Sequence, residues 1–216
     1  MRGRKPNYRR YLKAKLRRRA GKLKRNYNRQ KIHRFTRTFN TDTAIILNSG
    51  AAAAGYGFNF ALDQLPNPSD FTQLYDQYRI KAIKWQLIPK QGTATVFPPT
   101  VLPGQVSIMP KIYSVIDYDD SAPPTSLDQM LQYENCKYTR ANKTHTRFFK
   151  PAVATEVFNT GITTAYGMRQ NAWLDCNSNQ IEHYGLKVWV EASTALTPRW
   201  DFDIICKFYM EFKNVR

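Results

Sequence analysis

Apolar residues along most of this chain fall at every second position. Tyr56, Phe58, Phe60 and Leu62 share one face of Tyr56–Leu62. Tyr184, Leu186, Val188 and Val190 alternate through Glu182–Ala192, and the same period returns in Trp200–Phe212. A period of two is that of a strand with one buried face. Arg34–Asn40 begins a Thr-rich segment that runs on through Ala44–Leu47. Arg79–Pro89 reads as a strand ended by proline, with Ile80, Ala82, Lys84, Gln86 and Ile88 on one face. Lys81, Ile83, Trp85 and Leu87 take the other; both faces are mixed, so each should be covered. Gln105–Tyr118 is β-rich, with Pro110 marking an edge or bulge. Cys136–Phe149 reads as one strand and Asn171–Cys176 as a short one, with residues 151–169 a long loop between them. Ser69 is placed to cap a short helix over Asp70–Gln77, and Thr125 or Ser126 a second one ending near Tyr133. Residues 90–104, with Gly92, Pro98, Pro99, Pro103 and Gly104, read as a loop. About eight strands, two short helices and long connections, with neither a βαβ rhythm nor an internal repeat, predict an all-β fold: a single eight-stranded jelly roll or related sandwich.

Charge divides the chain in two. Of 33 Lys+Arg, 17 lie in residues 1–37: Arg2, Arg4, Lys5, Arg9, Arg10, Lys13, Lys15, Arg17, Arg18, Arg19, Lys22, Lys24, Arg25, Arg29, Lys31, Arg34 and Arg37. No acid precedes Asp42, so residues 38–216 carry the remaining 16 bases and all 16 acids. The expected organisation is a basic arm, 1–37, and a neutral body, 38–216. Like charges at this density predict a disordered arm. Tyr8, Leu12, Leu16, Ala20, Leu23 and Tyr27 nevertheless recur at helical spacing, interrupted at Gly21, so the arm reads as a coil that turns helical when a polyanion neutralises it. A solvated run that aids solubility and a membrane-surface segment stand as alternatives. The apolar stripe has no Trp or Phe to anchor it in a bilayer, which favours nucleic acid. Lys13–Arg19 and Lys22–Arg25 also suit nuclear localisation.

Length, 216 residues, fits one domain with a sizeable core, and 42% hydrophobic content excludes a wholly disordered chain. There is no run of about 18 apolar residues and no apolar h-region, so neither a membrane span nor a secretory signal is expected. Cys136, Cys176 and Cys206, an odd set without CxxC, fit a reducing compartment better than a disulfide framework.

Catalytic signatures are lacking. His33, His145 and His183 are far apart and form no ligand spacing. Asp117, Asp119 and Asp120 form an acidic knot that reads either as a divalent-cation site or, better, as a solvated turn, since the Gly and distal Glu of a calcium loop are missing. Gly161–Gly167 has no phosphate-loop lysine, and no GxSxG occurs. Asn142–Thr144 is a glycosylation sequon expected to stay unused. No catalytic residue, cofactor or metal is therefore expected. Most of the four Trp and thirteen Tyr sit at alternating strand positions, where packing is the default.

An ordered set of segments resembles the capsid proteins of circoviruses and related circular Rep-encoding single-stranded DNA viruses. Phe71–Pro89 resembles their short helix followed by a YRI-K strand ending in proline. Tyr113–Pro123 with Leu127–Tyr133 resembles the next strand and its exit, and Arg147–Pro151 is similar to their R-Y-F/T-P-K-P turn. Gly185–Val190 and Phe208–Phe212 resemble their last two strands; the arm is richer in lysine than the Arg-dominated circovirus arm. The resemblance implies a jelly-roll subunit, sixty copies in a T=1 shell, and circular single-stranded DNA packaged by inward arms. It also implies a nuclear phase served by host import receptors, a cell-surface attachment factor, and no membrane insertion. A nuclear-shuttle or ribosomal type of nucleic-acid-binding protein with a basic extension is the rival reading; it explains the arm but not the Pro-rich loops and aromatic body.

Overall fold

In the computed structural model, the described residues are 13, 31–41, 45–47, 52–90, 109–159, 164–192 and 200–216. The expected arm stripe, residues 91–104 of the expected loop over 90–104, and residues 105–108 of Gln105–Tyr118 lie outside them. The chain divides into two units, Met1–Ile32 and His33–Arg216, and the fold described is that of the second.

Its strands are β1 (His33–Asn40), β2 (Ile45–Leu47), β3 (Ala54–Phe60), β4 (Tyr75–Pro89), β5 (Lys111–Val115), β6 (Lys137–Arg140), β7 (His145–Phe149), β8 (Ala152–Asn159), β9 (Thr164–Gln170), β10 (Leu174–Asp175), β11 (His183–Val190) and β12 (Trp200–Val215). The first sheet runs β1-β12-β4, with β7 and β10 both on the far side of β4 and β2 beside β12. The second runs β6-β5-β11, with β3 and β8 also on β11 and β9 on β8. Leaving out the short β2 and β10 and the β8–β9 hairpin, eight strands remain. The first pairs with the last, the second with the seventh, the third with the sixth and the fourth with the fifth. The pairs β12–β4 and β11–β5 join these ladders into two antiparallel sheets. That nested pairing is the double Greek key of a jelly roll.

Three segments depart from the sequence reading. Cys136–Phe149 is two strands, not one: β6 and β7 part at a turn over Ala141–Lys143 and enter different sheets. Residues 151–169 are mostly the antiparallel pair β8–β9 rather than a loop. Their side chains give no clean alternation because much of the hairpin faces water on both sides; Val157 and Tyr166 are exposed. The first helix is a single turn, α1 (Ser69–Thr72), with Pro68 and not Ser69 at its N-cap. The second, α2 (Leu127–Leu131), starts as expected, with the Gln129 amide donating to Ser126 Oγ at 3.2 Å.

The core lies between the sheets. β12 supplies Phe202, Ile204, Cys206, Phe208, Met210 and Phe212 in unbroken alternation. Its partner β4 buries Tyr78 and Ile80, then Ile83, Trp85 and Leu87. The expected grouping of Ile80 with Lys84 and Gln86 therefore fails. A β-bulge is the reason: Tyr209 lies opposite Ala82 and Met210 opposite Ile80, which leaves Lys81 as an extra residue. One inserted residue shifts the pleat by one, so Tyr78 and Ile80 point inward before it and Ile83, Trp85 and Leu87 after it; Tyr75, at the start of the strand, is buried as well.

β1 begins at His33 because its alternate residues fit this core. Phe35 meets Phe71 and Phe212 edge-on at 5.3 and 5.7 Å, Phe71 stacks on Phe212 at 4.8 Å, and Phe39 meets Phe208 at 5.0 Å. On the opposite sheet, β3 runs close under the segment leading to α2. A methyl group on Gly57 would lie 1.8 Å from the Ser121 carbonyl oxygen. Gly185, at φ +147°, forms the bulge by which β11 changes register against β3.

Two histidines are buried between the layers. His145 Nε2 lies 2.6 Å from Ser114 Oγ and Nδ1 2.9 Å from Thr139 Oγ1. His183 Nδ1 donates to the carbonyls of Phe60 and Ile181, both at 3.0 Å. Burial, with the charges of Arg147 and Lys137, pushes His145 down to about 4; burial likewise pushes His183 to about 4.

Two predictions follow from this core. Trp85 is fully buried beside Phe58 and His145, so Trp85→Ala should lower unfolding free energy by about 3–5 kcal/mol in a urea titration. Both histidines have folded values below the ordinary 6.5, so the unfolded chain binds more protons between pH 6.5 and about 4. Stability should hold above pH 6.5 and fall as pH drops through that window, by up to roughly 3 kcal/mol per histidine, and His145→Gln should flatten the fall.

Candidate nucleic-acid interface

Of the 17 basic residues assigned to the arm, the described residues include Lys13, Lys31, Arg34 and Arg37; the others lie outside them. Lys13 is helical and exposed, and Lys31 is exposed just before β1. Arg34 and Arg37 are on the sheet itself. Arg34 Nε donates to Glu211 Oε1 at 3.1 Å, and the Arg37 guanidinium sits 5.2 Å from the Phe71 ring centre. Part of their charge is thus engaged within the fold.

Glu211 is the acid around which this end of the first sheet's solvent face is organised. Arg79 grips Oε2 through Nε, at 2.7 Å, and through Nη2, while Arg34 takes Oε1. Burial pushes the Glu211 carboxyl up, but these hydrogen bonds and charges outweigh it and hold it below the usual range. Arg79 also lies over the Trp173 ring at 4.3 Å, and Lys213 Nζ over the same ring at 4.4 Å.

Further along, the same face loses its carboxylates. Lys207 of β12 stands directly opposite Lys84 of β4, with Thr38 beyond Lys207 and Phe148 beyond Lys84. Inward-pointing neighbours on each strand put all four side chains outward. Among the described residues no carboxylate lies within ion-pair distance of Lys84 or Lys207. Lys207 Nζ lies 5.5 Å from the Tyr209 ring, which meets Phe148 edge-on at 5.8 Å; Phe148 is 62% exposed. Sequence reading missed this cluster, because its members come from three strands far apart in the chain. Strand alternation supplied the one signal, by placing Lys84 and Lys207 opposite apolar neighbours. A second basic edge occurs on the other sheet, where Lys111 pairs with Arg140 and a groove runs past Tyr113, Tyr138 and Lys143.

In the acidic knot Asp119 and Asp120 are exposed, as a solvated turn would have them, but Asp117 is buried and paired with a lysine. Lys187 Nζ, from the outer face of β11, lies 2.9 Å from Asp117 and 2.8 Å from Asp120. Tyr133 donates to Asp117 at 2.8 Å, and the amides of Asp119 and Ala122 close on the same two carboxylates. Burial would lower the Lys187 ammonium, but the two aspartates more than offset it and raise it. Asp117 is held low in return, against its own burial, by Lys187 and Tyr133. The missing signal was Lys187, a lysine inside an otherwise apolar strand.

A family model described as circovirus capsid protein matches residues 2–216. Among solved structures the chain is similar to the 60-mer BFDV capsid protein, at TM-score 0.60 and 16% identity, covering 86% of this chain and 95% of that one. It is similar to the decameric BFDV capsid protein at TM-score 0.51 and 18% identity, covering 86% and 100%. It is also similar to mud crab tombus-like virus at TM-score 0.51 and 10% identity, covering 87% and 90%. At these identities the likeness is one of fold. No curated protein matches the chain.

Lys187→Met should cost about 3 kcal/mol or more of unfolding free energy, because Asp117, 7% exposed, would keep a buried charge without its partner. Removing both charges with Asp117→Asn and Lys187→Met together should recover part of that loss in the same urea titration.

Proposed function

This chain belongs to the circovirus capsid protein family, and on that premise we propose that it builds a viral shell and packages single-stranded DNA through its basic arm. The observation that carries the reading is the charge step: 17 Lys/Arg and no acid in residues 1–37, against equal numbers of bases and acids after them. A run of this kind binds a polyphosphate by displacing its counterions, which needs no base-reading element and is largely blind to sequence. The neutral body suits the other task, since subunits packed side by side gain from low net charge and from contacts set by shape and apolar anchors.

A T=1 shell of sixty subunits is the assembly we propose, in line with the 60-mer formed by the similar BFDV protein. Sixty arms would bring roughly a thousand positive charges to one cavity, enough to condense a small genome. The division into arm (1–37) and shell domain (38–216) is part of the proposal, with β1 as the strand through which one enters the other. Host import receptors reading Lys13–Arg19 and Lys22–Arg25, a nuclear phase and a cell-surface attachment factor complete it.

Two measurements test this reading. Negative-stain imaging of the expressed protein should show closed shells; a monomer retarded by nucleic acid would instead favour the nuclear-shuttle or ribosomal type. In a salt titration against random single-stranded oligonucleotides, log K should fall with log salt by about 0.7 per phosphate contact. Replacing Arg17, Arg18, Arg19, Lys22, Lys24 and Arg25 by Gln should flatten that slope in proportion and leave the β-domain's unfolding midpoint unchanged. A slope untouched by the six substitutions would move the binding site off the arm.

A further inference from the structure

We infer that the solvent face of the first sheet, centred on Lys84, Lys207, Tyr209 and Phe148, is a second contact surface for single-stranded nucleic acid. The inference rests on the packaging reading and adds to it a surface within the folded domain.

Cross-strand geometry is the starting point. Lys84 and Lys207 are directly opposite each other on neighbouring antiparallel strands. Like charges in that position repel and cost stability, whereas a carboxylate across from a lysine adds to it. Such carboxylates are at hand elsewhere on this face: Glu211 answers Arg34 and Arg79, and Asp203 answers Lys90 at 2.8 Å. The pair in the middle has none among the described residues, so its charge is left for a ligand outside the domain.

Beside the pair stands an aromatic side chain with no reason to be exposed on packing grounds. Phe148 projects from β7 next to Lys84, 62% exposed, while its neighbours Arg147 and Phe149 are buried. Its ring meets that of Tyr209 at 78°, with centres 5.8 Å apart, and most of it is open to solvent. Two ammonium groups with an adjacent, exposed aromatic face are the parts that hold single-stranded nucleic acid: phosphates on the cations and an unpaired base on the ring. An acidic protein would use the cations and leave the ring idle. A duplex would offer phosphates but no unstacked base. Continuity points the same way, since β1, the strand that residues 1–32 lead into, lies beside β12 on this sheet.

The test uses the full chain, a 20-nucleotide oligothymidine as probe, and fluorescence anisotropy over a salt series. Lys84→Gln with Lys207→Gln should reduce the slope of log K against log salt by about 1.4, two single-strand contacts. Phe148→Ala should weaken binding by about fivefold or more with the slope unchanged, and the loss should be absent on duplex DNA of the same length. Lys111→Gln with Arg140→Gln, on the other sheet, should change the slope less than the first pair does. Ultraviolet cross-linking of the unmodified chain followed by peptide mapping should place adducts on the peptides holding Phe148 and Tyr209 as well as on arm peptides. Adducts on the arm alone, with slope and affinity unmoved by the sheet substitutions, would overturn this inference and leave the packaging proposal standing. Adducts on neither would sink both. An effect of Phe148→Ala equal on single strands and duplex would remove the base-stacking role and with it the inference.

Discussion

The pairing of β4 with β12 is the constraint from which the rest of the fold follows. These two long strands lie side by side along nearly their whole length, flanked by β1 and β2 on one side and by β7 and β10 on the other. Together they contribute most of the large buried side chains, from Phe202 at one end to Phe212 at the other. A long antiparallel pair in strict register would oblige β4 to keep one parity throughout. Its sequence cannot do this, because Tyr78 and Ile80 are apolar at even positions and Ile83, Trp85 and Leu87 at odd ones. The single bulge at Lys81 reconciles the two halves. Without it, either the first or the second half of β4 would turn its aromatic and aliphatic groups to water.

Charge is handled in two different ways within the domain. Two enclosed groups are matched by opposite charge, Lys187 with Asp117 and Asp120 and Glu211 with Arg79 and Arg34, while buried Arg147 donates instead to the Asn135 carbonyl. A buried charge left alone would cost several kcal/mol, so these partners are obligatory. Where cations face solvent, pairing is optional, and the middle of the first sheet leaves Lys84 and Lys207 without it. By the same principle, the 17 bases of residues 1–37 favour surroundings that water or a polyanion can reach.

How much could be read without coordinates depends on which interactions are local. Alternation is a nearest-neighbour property, so Tyr56–Leu62, Glu182–Ala192 and Trp200–Phe212 announced their strands, and Ser126 its helix cap. The charge step near residue 37 is likewise a matter of composition, and the ordered segments were enough for the family resemblance. By contrast, the turn at Ala141–Lys143 lacks a Gly or Pro, so Cys136–Phe149 passed for a single strand although its halves belong to opposite sheets. The β8–β9 hairpin escaped notice because partial exposure on both faces erases the period of two.

What the sequence by itself determined is therefore the all-β class, the positions of the long strands and the separation of a cationic segment from a neutral body. Each of these follows from residues adjacent in the chain. Only the tertiary structure decided which strand lies beside which, and with that the bulge at Lys81, the burial of Lys187 among the aspartates of the acidic knot, and the meeting of Lys84, Lys207 and Phe148 on one face. Such contacts join residues from about 60 to more than 120 positions apart, as Lys84 is from Phe148 and from Lys207. Their energy is realised only once the chain has closed, so no local pattern of residues carries it.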